Sequence, residues 1–251
     1  MLKNENQQDR FYGSIAGYYA GIFSLDPFQV KCVEKELESA EGKTVLDVGC
    51  GTGELAFSLA EKGALVTAID LNDAMLSEAR NNRGHSNIVY RKANMLHIAR
   101  LFGRSKFDGV ICLGNTLVHL MNPMQMRDFF SGVLTVLKPG GVFILQLLNY
   151  DYIFKAGIDS LPLIETENVR FERTYRFVPG TREIRFHTTL TVKATGEVIE
   201  NETDLLGISS NDLVQMMDVA GLKNIQRFAG FDESPFTGDH ILLVITSRKA
   251  T

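Results

Sequence analysis

Three glycines at alternate positions close a short apolar run in Val45-Leu46-Asp47-Val48-Gly49-Cys50-Gly51-Thr52-Gly53. The run predicts a buried strand, the glycines a turn, and residues 54 to about 62 a helix. Glycine supplies the positive φ that such a turn needs and lets a ligand lie against bare backbone. A dinucleotide fingerprint, G-x-G-x-x-G, requires its third glycine where this chain has Glu54. The pattern present instead is D-x-G-x-G-x-G, beginning at Asp47. Leu65-Val66-Thr67-Ala68-Ile69 reads as the next strand and Asp70 ends it, where a carboxylate can accept both hydroxyl hydrogens of a ribose.

Strands and helices must alternate to hold these residues in place. Strands are expected at 44–48, 65–69, 88–92, 107–113 and 142–148, and helices at 28–40 after Pro27, 54–62, 73–82 and 123–137. Asn72 can cap the third of these helices, and Lys138-Pro139-Gly140-Gly141 reads as a sharp turn. Continuous apolar strands between amphipathic helices imply a parallel α/β sheet covered on both faces. Residues 168–206 change period: Ile184, Phe186, Thr188, Leu190 and Val192 face one way, and the residues between them face the other. That predicts a three-stranded antiparallel meander with one apolar face. A helix over 209–220, ended by Gly221, and strands at 223–229 and 240–247 complete the chain.

The polar residues 1–10 read as mobile, and the aromatic stretch from Phe11 to Phe23 as a segment folding over the rest. The organisation is therefore one domain over 1–251: an N-terminal lid and helix (11–40), a binding core (41–150), an antiparallel substrate cap (151–206), and a C-terminal helix and strands (207–251). A meander inserted after the fifth strand sits near the carboxyl ends of the parallel strands, where open α/β sheets bind ligands. The other reading of 151–206 is an edge extension for packing or for a homodimer.

Composition narrows the class. The 251 residues are 45% hydrophobic and 22% charged, with a net charge of −4. The basic clusters Arg170, Arg173, Arg176 and Arg182, Arg185 are interrupted by Glu172 and Glu183, so no nucleic-acid partner is expected. No apolar run approaches the ~20 residues needed to span a bilayer. The polar N-terminus has no apolar signal core, and the protein is read as cytoplasmic, with no membrane partner. Cys32, Cys50 and Cys112 match no disulfide or metal spacing; they are read as reduced packing thiols, and no metal site is expected.

D-x-G-x-G-x-G resembles the first motif of class I S-adenosylmethionine-dependent methyltransferases. Ala93-Asn94-Met95, the run from Phe107 to Leu120 and Leu148-Asn149-Tyr150-Asp151-Tyr152-Ile153 are similar to stretches of the glycine and glycine/sarcosine N-methyltransferases. The general likeness covers about residues 10–155 and 205–247, and the closer one 93–95, 107–120 and 148–157. It implies a Rossmann-like sheet, mostly parallel with the last strand antiparallel, and the cofactor S-adenosyl-L-methionine with S-adenosyl-L-homocysteine as product. Expected around the cofactor are Asp47, Gly49, Cys50, Gly51, Gly53, Asp70, Leu71, Met75, Ala93, Asn94, Met95, Leu113, Gly114 and His119, with Tyr12 and Tyr19 closing over it. Asn115, His119 and Asn149 are the candidates to hold the acceptor and form the catalytic set. That family clamps the substrate carboxylate with an arginine in the last meander strand. The matching stretch here, Asn201 to Gly207, is acidic and lacks it, and this chain has no Trp. Arg173, Arg176 or Arg185 could substitute, each being first read as a solvated strand residue.

The expected reaction is in-line methyl transfer to a small-molecule acceptor, N-directed on an amine or amino acid, for which alignment matters more than a dedicated base. O-methylation of a small metabolite on the same fold, and binding of the cofactor without turnover, are the alternatives.

Overall fold

The computed structural model describes the backbone of residues 2–251 and the side chains of residues 7–251. Apolar runs at Thr44–Val48 (β1), Leu65–Asp70 (β2), Ile88–Lys92 (β3), Phe107–Cys112 (β4) and Leu137–Leu148 (β5) pair in parallel in the order β5-β4-β1-β2-β3. Successive side chains of these strands enter opposite faces. Leu46, Val110 and Phe143 pack on one side with the helices Pro123–Val136 and Ser210–Ala220. Val45, Ile111 and Ile144 pack on the other side with Pro27–Leu37 and Glu54–Ala60. The same two-residue period thus feeds both cores, and each fully buried Leu or Phe side chain contributes about 1.5–3 kcal/mol.

In chain order the helices are α1 (Leu2–Ile22), α2 (Pro27–Leu37), α3 (Glu54–Ala60), α4 (Asp73–Asn82), α5 (Ile98–Phe102), α6 (Pro123–Val136), α7 (Tyr150–Ala156) and α8 (Ser210–Ala220). Short polar side chains start several of them. Asp26 accepts the Phe28 N–H before Pro27 at the head of α2, Asn72 accepts the Met75 N–H, and Ser209 accepts the Asp212 N–H.

A second sheet, Ser160–Glu165 (β6), Val169–Phe177 (β7), Glu183–Val192 (β8) and Val198–Leu206 (β9), is antiparallel in sequence order. Leu222–Phe228 (β10) and Leu242–Lys249 (β11) then extend the first sheet, with β11 antiparallel to both β5 and β10. Helix α1 packs between α4 and the second sheet. Its Phe11, Ile15, Ala16 and Ile22 bury against Met75 of α4 and against Val169, Phe171 and Leu190 of the cap.

The parallel order, the antiparallel β11 and the alternation along β8 follow the sequence reading. Four features differ from it. The meander has four strands, because β6 adds to β7; Pro162 and the lack of alternation hid it, as befits an edge strand. Residues from Leu2 onward, expected to be mobile up to position 10, belong to α1, which buries its far half against the cap and α4. Lys138–Gly141 is a bulge inside β5 rather than a turn ahead of it. The pairing passes from Phe107↔Leu137 to Gly109↔Val142, two residues along β4 against five along β5. Two short helices, α5 and α7, were not expected.

Gly53 heads α3 at φ +86°, and a Cβ there would lie 2.6 Å from the Tyr90 hydroxyl oxygen and 3.0 Å from its ring. Gly17, within α1, has open space around it. Gly53→Ala is expected to cost about 1–3 kcal/mol in urea unfolding, whereas Gly17→Ala should add about 0.5–1 kcal/mol. Equal effects of the two variants would contradict this account of the turn.

Candidate functional site

Strand β1 delivers its carboxyl end to Gly49, whose φ is +74°. A Cβ at Gly49 would lie 2.5 Å from Thr116 Cγ2, so a bare residue is needed for the turn to pass under the loop after β4. The Gly49 and Cys50 N–H groups both donate to the Ile69 carbonyl, at 2.8 and 3.0 Å, which fastens the turn to the end of β2. One residue on, Asp70 accepts the Gly51 N–H on Oδ2 at 3.0 Å and the Asn72 N–H on Oδ1 at 2.9 Å. Burial raises the carboxyl's pKa, and these backbone donors oppose that rise. Each oxygen keeps acceptor capacity for a ribose hydroxyl.

Two cavities meet over this turn. The first, of about 440 Å³, opens from Asp70 past Leu71, Met75, Ala93, Asn94 and Met95 to His119. The second, of about 450 Å³, runs from Asp47, Cys50, Leu113 and Asn115 to the inner face of the cap sheet. Tyr12, Tyr19, Gly49, Gly51 and Gly114 line both. Most of the expected residues are therefore brought together.

Two are not. Gly53 lines neither cavity; it makes room for Tyr90, as described above. Asn149, expected to hold the acceptor, is fully buried and lines neither cavity. Its Oδ1 caps α7 by accepting the Tyr152 N–H, and its Nδ2 donates to the Gly238 carbonyl at 2.9 Å, so its role is to join β5, α7 and the loop before β11.

The remaining candidates have defined partners. His119 Nε2 is 2.8 Å from the Tyr12 hydroxyl, and burial pushes the imidazole down to about 4, so the ring is neutral at physiological pH. Asn94 Oδ1 accepts the Leu96 N–H at 2.9 Å, which fixes the turn that carries Met95. Asn115 sits at φ +63°, donates to the Tyr150 hydroxyl at 2.8 Å and accepts the Leu148 N–H at 3.1 Å. The Tyr150 hydroxyl in turn meets that of Tyr175 on the cap. Asp47 is 3% exposed, and burial, reinforced by the nearby Asp70 and Glu54 carboxylates, pushes its carboxyl up to about 7.

Sequence reasoning missed Gln146 and read Arg173 first as a solvated strand residue, with a substitute carboxylate clamp as its alternative. Gln146 is the polar residue in the apolar run of β5, and its Oε1 accepts the Gly114 N–H at 2.7 Å. Arg173 shares the inward register of β7 with Val169, Phe171 and Tyr175 and lines the second cavity. An arginine at an apolar phase of an alternating strand was the available signal. Cys50 lines the second cavity, and Cys32 and Cys112 are buried. Among the described residues no group of three His, Cys, Asp or Glu could hold a metal ion, and no helix is long and apolar enough to cross a membrane.

A carboxyl whose folded pKa lies above its unfolded value near 3.8 binds an extra proton in the folded state. The stability tied to Asp47 is thus full below about pH 4 and is lost as pH rises through 7. Asp47→Asn, which stays neutral, should gain about 2 kcal/mol over the wild-type protein between pH 5 and pH 8 in urea unfolding without ligand. A difference independent of pH would contradict the assignment.

Residues 45–141 match a family model described as a methyltransferase domain. A protein of Geobacillus sp. (strain WCH70) named as a methyltransferase is 33% identical over 157 residues, 59% of this chain and 62% of that protein. The glycine N-methyltransferase of Mus musculus is 34% identical over 125 residues, 45% of this chain and 43% of the mouse enzyme. The chain thus spans less than two thirds of the length of either relative. The crystal structure of an S-adenosylmethionine-dependent methyltransferase from Clostridium acetobutylicum ATCC 824 superposes with a TM-score of 0.79 at 20% identity, over 96% of this chain and 99% of the other, a likeness of fold. Residues 45–141 thus match a methyltransferase domain in sequence, and the whole chain shares its fold with a solved methyltransferase.

Proposed function

We propose that the protein transfers the methyl group of S-adenosylmethionine to a nitrogen of a small amine or amino acid and releases S-adenosylhomocysteine. The observation that carries this reading is the meeting of the two cavities at Gly49, Gly51 and Gly114. The first has the carboxylate a nucleoside needs, and the second ends on the cap.

When bound, the cofactor supplies an electrophilic methyl group on a sulfonium centre. Asp70 would accept from its ribose hydroxyls, and Leu71, Asn94 and Met95, which line the same cavity, would border the adenine. Asp70, joined by Asp47 in its ionised form, places negative charge beside the turn, which favours the cofactor's sulfonium and ammonium groups. The bare Gly49 backbone keeps the approach open. Tyr12, held by neutral His119, and Tyr19 close the site from α1 and exclude water.

An amine brings its own lone pair once deprotonated. The new N–C bond forms as the C–S bond breaks, and the protein's task is alignment. Holding a nucleophile in line is worth up to about 7–11 kcal/mol. Asn115, fixed by Tyr150 and Leu148, borders the acceptor side. The mouse relative is named for nitrogen transfer to glycine, which favours nitrogen here.

The test is incubation with methyl-labelled cofactor and a panel of small amines, amino acids and hydroxyl compounds, with Asp70→Ala in parallel. Label on nitrogen is expected, and the variant should need about 10- to 100-fold more cofactor, as loss of charge-assisted hydrogen bonds implies. Label on oxygen would overturn the nitrogen assignment. No transfer to any acceptor from bound cofactor would replace the enzyme reading with that of a binding protein.

A further inference from the structure

The inner face of the cap sheet holds two polar atoms with no partner. Arg173 Nε and Thr188 Oγ1 are both buried and make no hydrogen bond. They belong to directly opposed residues, because Arg173 on β7 pairs with Thr188 on β8, and so they share one face of the sheet. Buried polar atoms are almost always satisfied in folded proteins; Thr188 lines neither cavity, whereas Arg173 borders a space that a group supplied from outside can fill.

The surroundings define that group. The Arg173 guanidinium spends one N–H on the Pro162 carbonyl at 2.7 Å and lies 5.9 and 6.0 Å from the Phe23 and Phe171 ring centres. Among the described residues it has no ion pair, although it lines the second cavity. Of the carboxylates there, Glu54 is paired with Arg83 at 2.8 Å, and Asp47 lies at the glycine turn. A half-buried cation without a counter-ion is costly, and a guanidinium lining a cavity suits an anionic oxygen group. The rest of the cap side of this cavity is apolar: Phe11, Phe23, Leu161, Phe171 and Phe186.

We infer that Arg173 forms a subsite for the carboxylate of the methyl acceptor, and that the aromatic wall takes an apolar body between that carboxylate and the reacting nitrogen. The acceptor class is then an amino acid with an aliphatic or aromatic body. This inference rests on the methyl-transfer reading for the word acceptor, but the subsite itself does not depend on turnover.

Binding is therefore measured first, by calorimetry on protein loaded with S-adenosylhomocysteine. The probes are L-phenylalanine, L-leucine, phenethylamine, glycine and phosphoethanolamine, against wild type, Arg173→Gln and Thr188→Val. Phenylalanine or leucine should bind at least tenfold more tightly than phenethylamine and glycine. Arg173→Gln should weaken that binding about 10- to 100-fold, as loss of a charge-assisted contact does, whereas Thr188→Val, outside the cavity, should leave it within about twofold. S-adenosylhomocysteine affinity should stay within twofold in both, which controls for folding. Preference for phosphoethanolamine would move the anion from carboxylate to phosphate and overturn the amino-acid class. Equal binding of phenylalanine and phenethylamine, no binding of any acid, or unchanged affinity in Arg173→Gln would overturn the subsite. Acid binding that depends on Arg173 without methyl transfer in the same samples would sink the enzyme reading alone.

Discussion

Two backbone N–H groups, from Gly51 and Asn72, converge on the two oxygens of the Asp70 carboxylate. That contact joins the turn after β1 to the end of β2 and the start of α4, and it fixes an acid that burial would otherwise drive towards neutrality. The parallel pairing of β1 with β2 sets it up by bringing both carboxyl ends to the same edge of the sheet. The Ile69 carbonyl, accepting from Gly49 and Cys50, holds the turn in register with it. Without this geometry the first cavity would have no acceptor aimed into it, and the second would have no neighbour.

Helix α1 carries the same constraint outward. Asn72 caps α4 with its oxygen and donates from its amide to the backbone and side chain of Asp9, both at 2.8 Å. Tyr12 reaches His119 on the loop after β4. On the other side, Gln7 donates to the Glu202 carbonyl and Ser14 accepts from Asn201, both on β9. One helix therefore touches the start of α4 beside Asp70, the loop after β4 and the second sheet.

How much was legible followed from the range of the interactions. The glycine turn, Asp70 and the five parallel strands are local patterns: period-two apolar runs and a spacing set by backbone geometry. The placement of Asn94, Asn115 and His119 on strand ends followed from them. Asn149 was misread because an Asn after a buried strand looks the same whether it faces a ligand or caps the next helix; only Tyr152 and Gly238 decide. Gly53 was grouped with its neighbours although its constraint comes from Tyr90 on β3, far along the chain. Arg173 was read first as solvated and second as a substitute clamp because strand phase was judged from residue type, and the inward register of β7 places it against the second cavity. The N-terminal residues looked mobile for want of apolar content, while α1 draws its stability from the cap and α4.

The central claim is that the cavity at Asp70 holds S-adenosylmethionine, and thermal unfolding tests it most directly. A ligand at 100 times its dissociation constant adds about 2.7 kcal/mol, which for a domain of this size raises the midpoint by roughly 5–10 °C. The account predicts that rise with S-adenosylmethionine and with S-adenosylhomocysteine, and none with NAD. No rise with either at millimolar concentration, or an equal rise with NAD, would contradict it.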